Sequence, residues 1–364
     1  MAYAPDSLSD RERDVLRRVV QTFIDTAAPV GSRVVAERVD LSSASVRTTM
    51  QRLEGAGYLG HPHTSAGRVP TEQGYRLYVD GLMDVAGLNE REAALLRESV
   101  RRRLGDLDAV ANETSRLLGS LARLLGVVLT PRLATGILER IEVVPLGATR
   151  VLFVLALRGG LARTVAAEVD VEVRPGTLDA VVQRLNERLA GHSLDEIRRT
   201  GAERVQDLAE GDRSGIVRVV LRDAPTLFRE PADARRAAIA GTGHLVAQPE
   251  FQRPEAVRDA VELAENEAVV VHLLETAAAL GPAEGGAPEA GTARVLIGRE
   301  ADRDGTGDRE GAAAVSVVTA PYHVGGALGA VAVIGPTRMD YGRAVALVEY
   351  VAMLLSDDGG PGGG

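Results

Sequence analysis

The chain has 364 residues, of which 26% are charged and 45% hydrophobic, with a formal net charge of −9. This length predicts two or three domains, and the composition excludes a wholly disordered or fibrous chain. The absence of cysteine excludes disulfides, thiolate metal sites and a cysteine nucleophile. The longest apolar run, Val151 to Leu157, is too short to span a bilayer, and the N-terminus lacks the features of a signal peptide. We therefore expect a cytoplasmic protein with no membrane contact.

The charge is distributed unevenly along the chain. All 42 basic residues are arginine, which is typical of a GC-rich genome and also suits contacts with phosphate and guanine. Residues 1–80 hold 10 arginines and 10 acids, and residues 81–130 hold 7 of each, so the rest of the chain carries the whole acidic excess. Residues 42–79 alone carry a net charge of +2. The acidic average therefore does not exclude a nucleic-acid partner for the N-terminal third.

Four helices and a polar loop are predicted in the first 85 residues. Ser9 and Glu12 form a capping box at the start of the first helix. A second short helix and a tight turn precede a third helix, which carries Val46, Met50 and Leu53 on one face. A polar loop between two short strands and a fourth helix follow. This order of elements is typical of a winged helix-turn-helix, the unit that places its second helix in the major groove of DNA.

The outer face of the third helix supplies the first set of candidate DNA contacts. Arginine binds guanine O6 and N7, glutamine binds adenine, and serine or threonine binds a base or a phosphate. The predicted contacts in this helix and at the start of the preceding one are Ser32, Arg33, Ser43, Ser45, Arg47, Thr48, Gln51 and Arg52. A small helical bundle with a solvated polar face is the alternative that the pattern leaves open.

The polar loop after the third helix supplies the second set. His63, Thr64, Ser65 and Arg68 are its predicted contacts, because hydroxyls and exposed backbone N–H groups bind phosphate and an arginine reaches a phosphate or the minor groove. His61 and His63 are alternatively a metal pair. Two histidines without a nearby acid or cysteine are a weak signal, and no metal site is predicted.

The pattern beyond residue 85 predicts a long helical stretch and then an α+β body. The predicted elements are a helical stretch at about 89–126, antiparallel strands at 137–144, 151–157 and 163–173, helices at 177–210 and 254–279, strands at 216–221, 294–297, 315–319 and 328–334, and a final helix at 341–355. The tail from residue 357 is disordered by composition.

The body shows no pattern of a catalytic or cofactor site. No Ser/His/Asp or paired-carboxylate arrangement stands out, so we do not expect an enzyme. The segment Gly241-Thr242-Gly243 lacks the third glycine of a dinucleotide fingerprint and is not expected between a strand and a helix. No cofactor is therefore predicted.

Five short segments carry a family resemblance that runs from about residue 8 to residue 355. They are PVGSR at 29–33, LSSASVR at 41–47, HTSAGRVPT at 63–71, IGRE at 297–300 and GPTRMDY at 335–341. Together they resemble the signature of HrcA, the heat-inducible transcription repressor family of bacteria. Thr48 and Thr49 stand where that family usually has Asn and Glu.

The resemblance implies an α+β multidomain chain in which an N-terminal winged helix-turn-helix is joined to a GAF-like α+β domain carrying an inserted dimerisation segment. We expect a winged-helix DNA-binding domain at 1–85, a linker helix at 86–110, a GAF-like domain at 111–174 plus 251–356, an inserted dimerisation segment at 175–250 and a disordered tail at 357–364. The resemblance also implies a homodimer that represses chaperone operons by binding an inverted repeat called CIRCE in double-stranded DNA, with the GroE chaperonin as the partner that keeps it active. A ligand-gated winged-helix regulator and an adaptor that does not bind DNA are the alternatives.

Overall fold

In a computed structural model, the chain forms a mixed α/β structure of helices and antiparallel sheets. The structure describes residues 8–62, 67–85, 87–101, 107–172, 176, 178–229, 236–279, 291–300 and 315–356. No helix in those ranges combines the length and the apolar character that crossing a bilayer requires.

The N-terminal unit, residues 8–82, is built on helices whose apolar faces meet. Its elements are α1 (Asp10–Thr26), α2 (Ser32–Ala36), α3 (Ser43–Gly55), β1 (Leu59–Gly60), β2 (Val69–Pro70) and α4 (Glu72–Gly81). The predicted capping box of α1 is confirmed, because the Glu12 amide donates to the Ser9 hydroxyl and the Ser9 amide donates to the Glu12 carboxylate. The predicted inner face of α3 is also confirmed: Val46, Met50 and Leu53 are buried in the core of the unit.

The short strands β1 and β2 form an antiparallel pair beside this core. Leu59 pairs with Pro70 and Gly60 with Val69. A further antiparallel bridge joins Arg68 to Val30, in the segment that leads into α2. The strand pair is therefore fastened to the start of α2 as well as to α3.

The body follows the N-terminal unit as a series of helices and longer strands. Its elements are α5 (Glu90–Arg101), α6 (Leu107–Ala122), β3 (Leu125–Leu129), β4 (Leu138–Pro145), β5 (Arg150–Leu157), β6 (Ala162–Glu168), α7 (Leu178–Leu189), α8 (Leu194–Val205), α9 (Ile216–Leu227), β7 (Ala237–Ala240), α10 (Thr242–Val246), α11 (Pro254–Glu265), α12 (Glu267–Ala279), β8 (Arg294–Leu296), β9 (Val315–Val324), β10 (Ala327–Pro336) and α13 (Tyr341–Leu355).

A five-stranded antiparallel sheet forms the centre of the body, in the order β7-β3-β10-β9-β8. Alternate residues of β10 face opposite sides. Val331 and Val333 belong to the core shared with α6, α13 and the N-terminal unit, whereas Ala332 and Ile334 belong to the core shared with α11 and α12. Both faces of the sheet are therefore covered by helices, and one of them also borders the N-terminal unit.

A second, three-stranded sheet is made of β4, β5 and β6 in that order, and it confirms the predicted antiparallel meander. Phe153 and Leu155 of β5 are fully buried in a separate core that includes apolar residues of α7, α8 and α9. This sheet and its three helices draw on residues 138–228. The strands β4–β6 precede the expected insert at 175–250, and β7, which lies within that range, pairs with β3 of the five-stranded sheet. A strand's own alternation does not show which sheet it joins.

Two segments adopt a different element type from the predicted one. The predicted helical stretch extends to residue 126, but β3 begins at Leu125, and every residue of β3 is buried so that no alternation marks it as a strand. The predicted strand at 216–221 is the first half of α9. Its β-branched residues favour a strand, but Ile216, Val220 and Leu227 are buried at helical spacing against the second sheet.

The segment at Gly241 also differs from its expected placement, since it lies between β7 and α10. The helix that follows it has only five residues. A Cβ atom at Gly241 would lie 2.4 Å from the backbone oxygen of Leu124, and φ is +97°. The glycine is therefore explained by close backbone packing between β7 and the end of α6.

Candidate nucleic-acid interface

The amino end of α3 is organised by serine hydroxyls. Ser42 caps the helix, because its hydroxyl accepts from the Ser45 amide at 3.2 Å. The hydroxyls of Ser32 and Ser43 lie 3.1 Å apart and join the start of α2 to the start of α3. Three predicted contacts, Ser32, Ser43 and Ser45, thus lie close to the free N–H groups of a 13-residue helix. The amino end of a helix attracts anions such as phosphate.

The outer face of α3 is exposed and polar. Arg47, Thr48, Gln51 and Arg52 are all exposed, opposite the buried face of the same helix. The Thr48 hydroxyl donates to the Ala44 backbone oxygen at 3.2 Å. Within the described part of the chain, the side chains of Arg47, Gln51 and Arg52 make no hydrogen bond or ion pair, so their donors are available to a ligand.

Arg68 has a different environment from the arginines of α3. Its Nε lies 2.8 Å from a carboxylate oxygen of Glu54, and its Nη1 donates to the Gly67 backbone oxygen at 3.3 Å. Its side chain is only 19% exposed. The contact joins the residue that precedes β2 to the end of α3. Among the described residues, only Nη2 of this guanidinium has no hydrogen bond. His63, Thr64 and Ser65 lie outside the described residues.

The base of the loop is held by close packing of backbone against backbone. A Cβ atom at Gly67 would lie 2.8 Å from the carbonyl carbon of Pro29, so only glycine fits there.

His61 is exposed, and its Nδ1 lies 3.0 Å from the Pro62 backbone oxygen. No cluster of three or more His, Asp or Glu side chains suited to a metal ion is found in the residues that the structure covers.

The outer side of the N-terminal unit is the side on which the exposed face of α3 lies. Fewer arginines are unpaired there, among the described residues, than the count in the sequence suggests. Of the four arginines in residues 42–79, Arg68 is paired with Glu54 and Arg76 with Asp80 and Glu300, a residue of the body. Arg47 and Arg52 have no such partner within the described ranges. Together with the exposed Arg33 at the start of α2, they form a set that we call the outer arginines.

Glu12 of α1 lies near Arg52, one of the outer arginines, and has a lowered pKa. Hydrogen bonds from the Ser9 amide and hydroxyl hold the pKa of Glu12 below its ordinary value, and the nearby charges of Arg52 and Arg11 lower it further. The carboxylate is therefore ionised at neutral pH and offsets part of the field of Arg52.

Two segments of the body contact the N-terminal unit in a way that the sequence did not predict. Glu300, in the segment 297–300, binds Arg76, and Arg338, in the segment 335–341, donates to the Ile24 backbone oxygen at the end of α1. These partners are 224 and 314 positions apart in the chain. The family resemblance of the two segments was the only signal that marked them.

Comparisons with known proteins match most of the chain. The family model described as the HrcA protein C-terminal domain matches residues 108–345. The heat-inducible transcription repressor HrcA of Prosthecochloris aestuarii is 38% identical over 359 residues, which cover 96% of this chain and 97% of that protein. The protein of the same name from Chlorobium phaeobacteroides (strain BS1) is 38% identical over 354 residues, with the same coverage of both chains.

A solved structure also shares the fold. A crystal structure described as a hypothetical protein at 2.2 Å resolution superposes with a TM-score of 0.54 and covers 97% of this chain and 99% of that chain, at 22% identity. The family itself is shown by the match over residues 108–345 and by the relatives that align almost end to end. The chain belongs to the HrcA family of heat-inducible transcription repressors.

Proposed function

We propose that the chain represses transcription as a dimer that binds an inverted-repeat operator of the CIRCE type in double-stranded DNA. In this proposal the N-terminal unit is a winged helix-turn-helix, with α2 and α3 as the two helices and β1 and β2 as the base of the wing. The observation that carries the proposal is the set of outer arginines, which are exposed and unpaired within the described residues. Unpaired guanidinium groups beside a helix that fits the major groove are suited to phosphate and guanine.

The proposed contacts divide by chemistry. Arg47 and Gln51 bind base edges from the middle of α3, because arginine and glutamine form paired hydrogen bonds with guanine and adenine. Thr48 and Arg52 flank them, while Ser32, Arg33, Ser43 and Ser45 bind phosphates around the amino ends of α2 and α3. In the wing, we propose that His63, Thr64, Ser65 and the Nη2 group of Arg68 bind the DNA backbone or the minor groove.

For the body we propose a GAF-like domain at 111–136 plus 236–356, with the insert at 137–229 as the dimerisation segment. The strand order and the separate core of the second sheet support these limits. An inverted repeat needs two recognition helices about 34 Å apart, which a dimer supplies. The family resemblance further supports the GroE chaperonin as the partner that keeps the repressor active in the cytoplasm, and heat relieves repression when unfolded proteins occupy the chaperonin.

Fluorescence anisotropy with a labelled CIRCE-type repeat tests this function. We expect tighter binding to the repeat than to a duplex with scrambled half-sites. If about six phosphates are contacted, the affinity falls on the order of 10³-fold between about 50 and 200 mM salt. Added chaperonin should raise the fraction of active repressor. Equal affinity for both duplexes, or binding indifferent to salt, would contradict the proposal.

A further inference from the structure

The N-terminal unit is fastened to the body by two arginine contacts on different elements. The first involves Arg76 of α4. Its Nη2 donates to the Val295 backbone oxygen of the edge strand β8 at 2.7 Å, and both its Nε and Nη2 donate to the carboxylate of Glu300. That carboxylate also accepts a hydrogen bond from the Ile297 amide at 3.0 Å. The backbone of the body therefore helps to orient the carboxylate that binds Arg76.

The second contact involves Arg338, which precedes α13. Its Nη1 donates to the Ile24 backbone oxygen at 2.5 Å, its Nε to Glu250 at 2.6 Å and its Nη2 to Gln248 at 3.2 Å. The last carbonyl groups of a helix lack partners within the helix and lie at the negative end of its dipole. The last turn of α1 contains no basic residue of its own. The body therefore supplies the cation that caps the carboxyl end of α1.

Two packed aromatic rings lie between the contact of Arg76 and the contact of Arg338. The rings of Tyr75, from α4, and Tyr341, from α13, have centroids 5.8 Å apart, and both side chains are buried. The Tyr341 hydroxyl donates to the Thr337 backbone oxygen at 2.7 Å. Burial raises the pKa of both phenols above the ordinary value, so they are uncharged near neutral pH. The interface is therefore packed like a core rather than solvated like a surface contact.

We propose that Arg76 and Arg338 are positioning residues that fix the orientation of the N-terminal unit on the body and thereby set the half-site spacing that the repressor accepts. The shared apolar core holds the unit against the body but is non-directional, whereas hydrogen-bonded arginine contacts at two separate places, α4 and α1, leave one orientation. Because α3 belongs to the same unit, its direction relative to the body is fixed as well. This inference rests on the dimeric, operator-binding function proposed above.

The consequence concerns DNA geometry. B-DNA turns once in about 10–10.5 base pairs, so each base pair inserted between two half-sites rotates one of them by about 35°. A dimer whose two α3 helices are held by the body meets only one spacing. A dimer whose units pivot accepts several spacings with similar affinity.

The test measures affinity for inverted repeats with the natural spacing and with one or two base pairs inserted. Wild type should lose about tenfold or more in affinity when two base pairs are inserted, the cost of about one mismatched position. The double variant Arg76→Ala/Arg338→Ala should lose less than about threefold across the same set, while its affinity for an isolated half-site stays at the wild-type value. Arg116→Ala, which removes an exposed pair with Glu113 on α6, outside the proposed DNA-binding and dimerisation segments, is the matched control and should behave as wild type.

The inference and the proposed function are contradicted by different results. Spacing dependence retained in the double variant would overturn the inference. Wild type that fails to bind even the natural repeat would remove the proposed function, and the inference would then be judged on the orientation of the unit alone.

Orientation is measured without DNA by spin labels. Because the chain has no cysteine, Val34→Cys on α2 and Val269→Cys on α12 provide two unique exposed labelling sites. Dilution with unlabelled protein isolates the distance within one chain. We expect a narrow distance distribution in the otherwise wild-type protein and a broad one after Arg76→Ala/Arg338→Ala, with the helical circular dichroism unchanged. An unchanged width would overturn the inference, whatever the result with DNA.

Discussion

The outer and inner sides of the N-terminal unit carry the same residue type in opposite states. On the outer side, Arg33, Arg47 and Arg52 are exposed and make no ion pair within the described residues. On the inner side, Arg76 of the unit binds a carboxylate and a backbone oxygen of the body, and Arg338 of the body binds a backbone oxygen of the unit as well as a carboxylate of the body itself.

Both sides contain arginine, so the number of arginines does not distinguish a binding surface from an internal interface. What distinguishes them is whether carboxylates and backbone oxygens lie close enough to pair with the guanidinium groups. The body provides Glu300 and Glu250 where the inner arginines lie. None of the carboxylates in the described part of the body pairs with the outer arginines, which leaves their charge for an external anion. An arginine already held by two acceptors gains little from phosphate, whereas an unpaired one gains a full charge-assisted contact.

The largest expected effect is on the outer side. Arg47→Ala should weaken operator binding by about 1–3 kcal/mol if Arg47 binds a base, without changing the thermal unfolding temperature by more than about 2 °C. Arg47→Lys is the matched control: it keeps the charge but loses the fork, so it should retain non-specific binding and lose base preference. Anisotropy with single-base variants of the half-site measures both. Wild-type affinity in folded Arg47→Ala would remove Arg47 from the interface.

On the inner side the main effect should be on stability. Arg338→Ala removes hydrogen bonds to Glu250 and to the end of α1, and should lower the free energy of unfolding by about 2 kcal/mol. Arg198→Ala, whose pair with Asp195 is exposed, should change it by less than about 0.5 kcal/mol. Urea unfolding followed by circular dichroism measures both variants. Equal small changes would show that the inner contact is no stronger than an ordinary surface pair.

The sequence predicts the outer side well because its signals are local. The burial of Val46, Met50 and Leu53 follows from helical spacing, and the capping box at Ser9 follows from residues three positions apart. Exposure of Arg47 on the opposite face follows from the same period. Local periodicity is sufficient wherever one face of an element is buried and the other is solvated.

The inner side escapes prediction because its contacts join distant parts of the chain. Arg76 counts as one more positive charge in residues 42–79 until Glu300 is placed beside it, and nothing in either local pattern indicates that pairing. The type of β3 is missed for a related reason, since a strand buried on both faces loses its alternation. The sequence reveals which face of an element is apolar but not which distant segment covers it.

Arg68 shares a feature with each side: it is paired with a carboxylate, that of Glu54, yet it lies at the base of the proposed wing. Arg68→Ala should weaken binding to all sequences alike and reduce the salt slope by about 1, because a phosphate contact is lost. Glu54→Gln removes the charged partner but keeps the arginine, so it should leave affinity equal or higher. Salt titrations of both variants make the measurement. A change of operator preference in Arg68→Ala would mean that it reads bases, and equal loss in both variants would mean that the pair is structural.

The smallest expected effect concerns α1, which is capped by its own residues at one end and by Arg338 of the body at the other. Donation from the Ser9 amide and hydroxyl lowers the pKa of Glu12 from its ordinary value of 4.5. The ionised form therefore stabilises the folded state above pH 4.5, and this contribution is lost as the pH falls through the lowered value. Glu12→Gln retains the geometry of the box, so it should flatten the fall in stability below that pH by less than about 1 kcal/mol. Thermal melts of both proteins across the acid range measure the difference, and parallel curves would show that the cap acts through its shape rather than its charge.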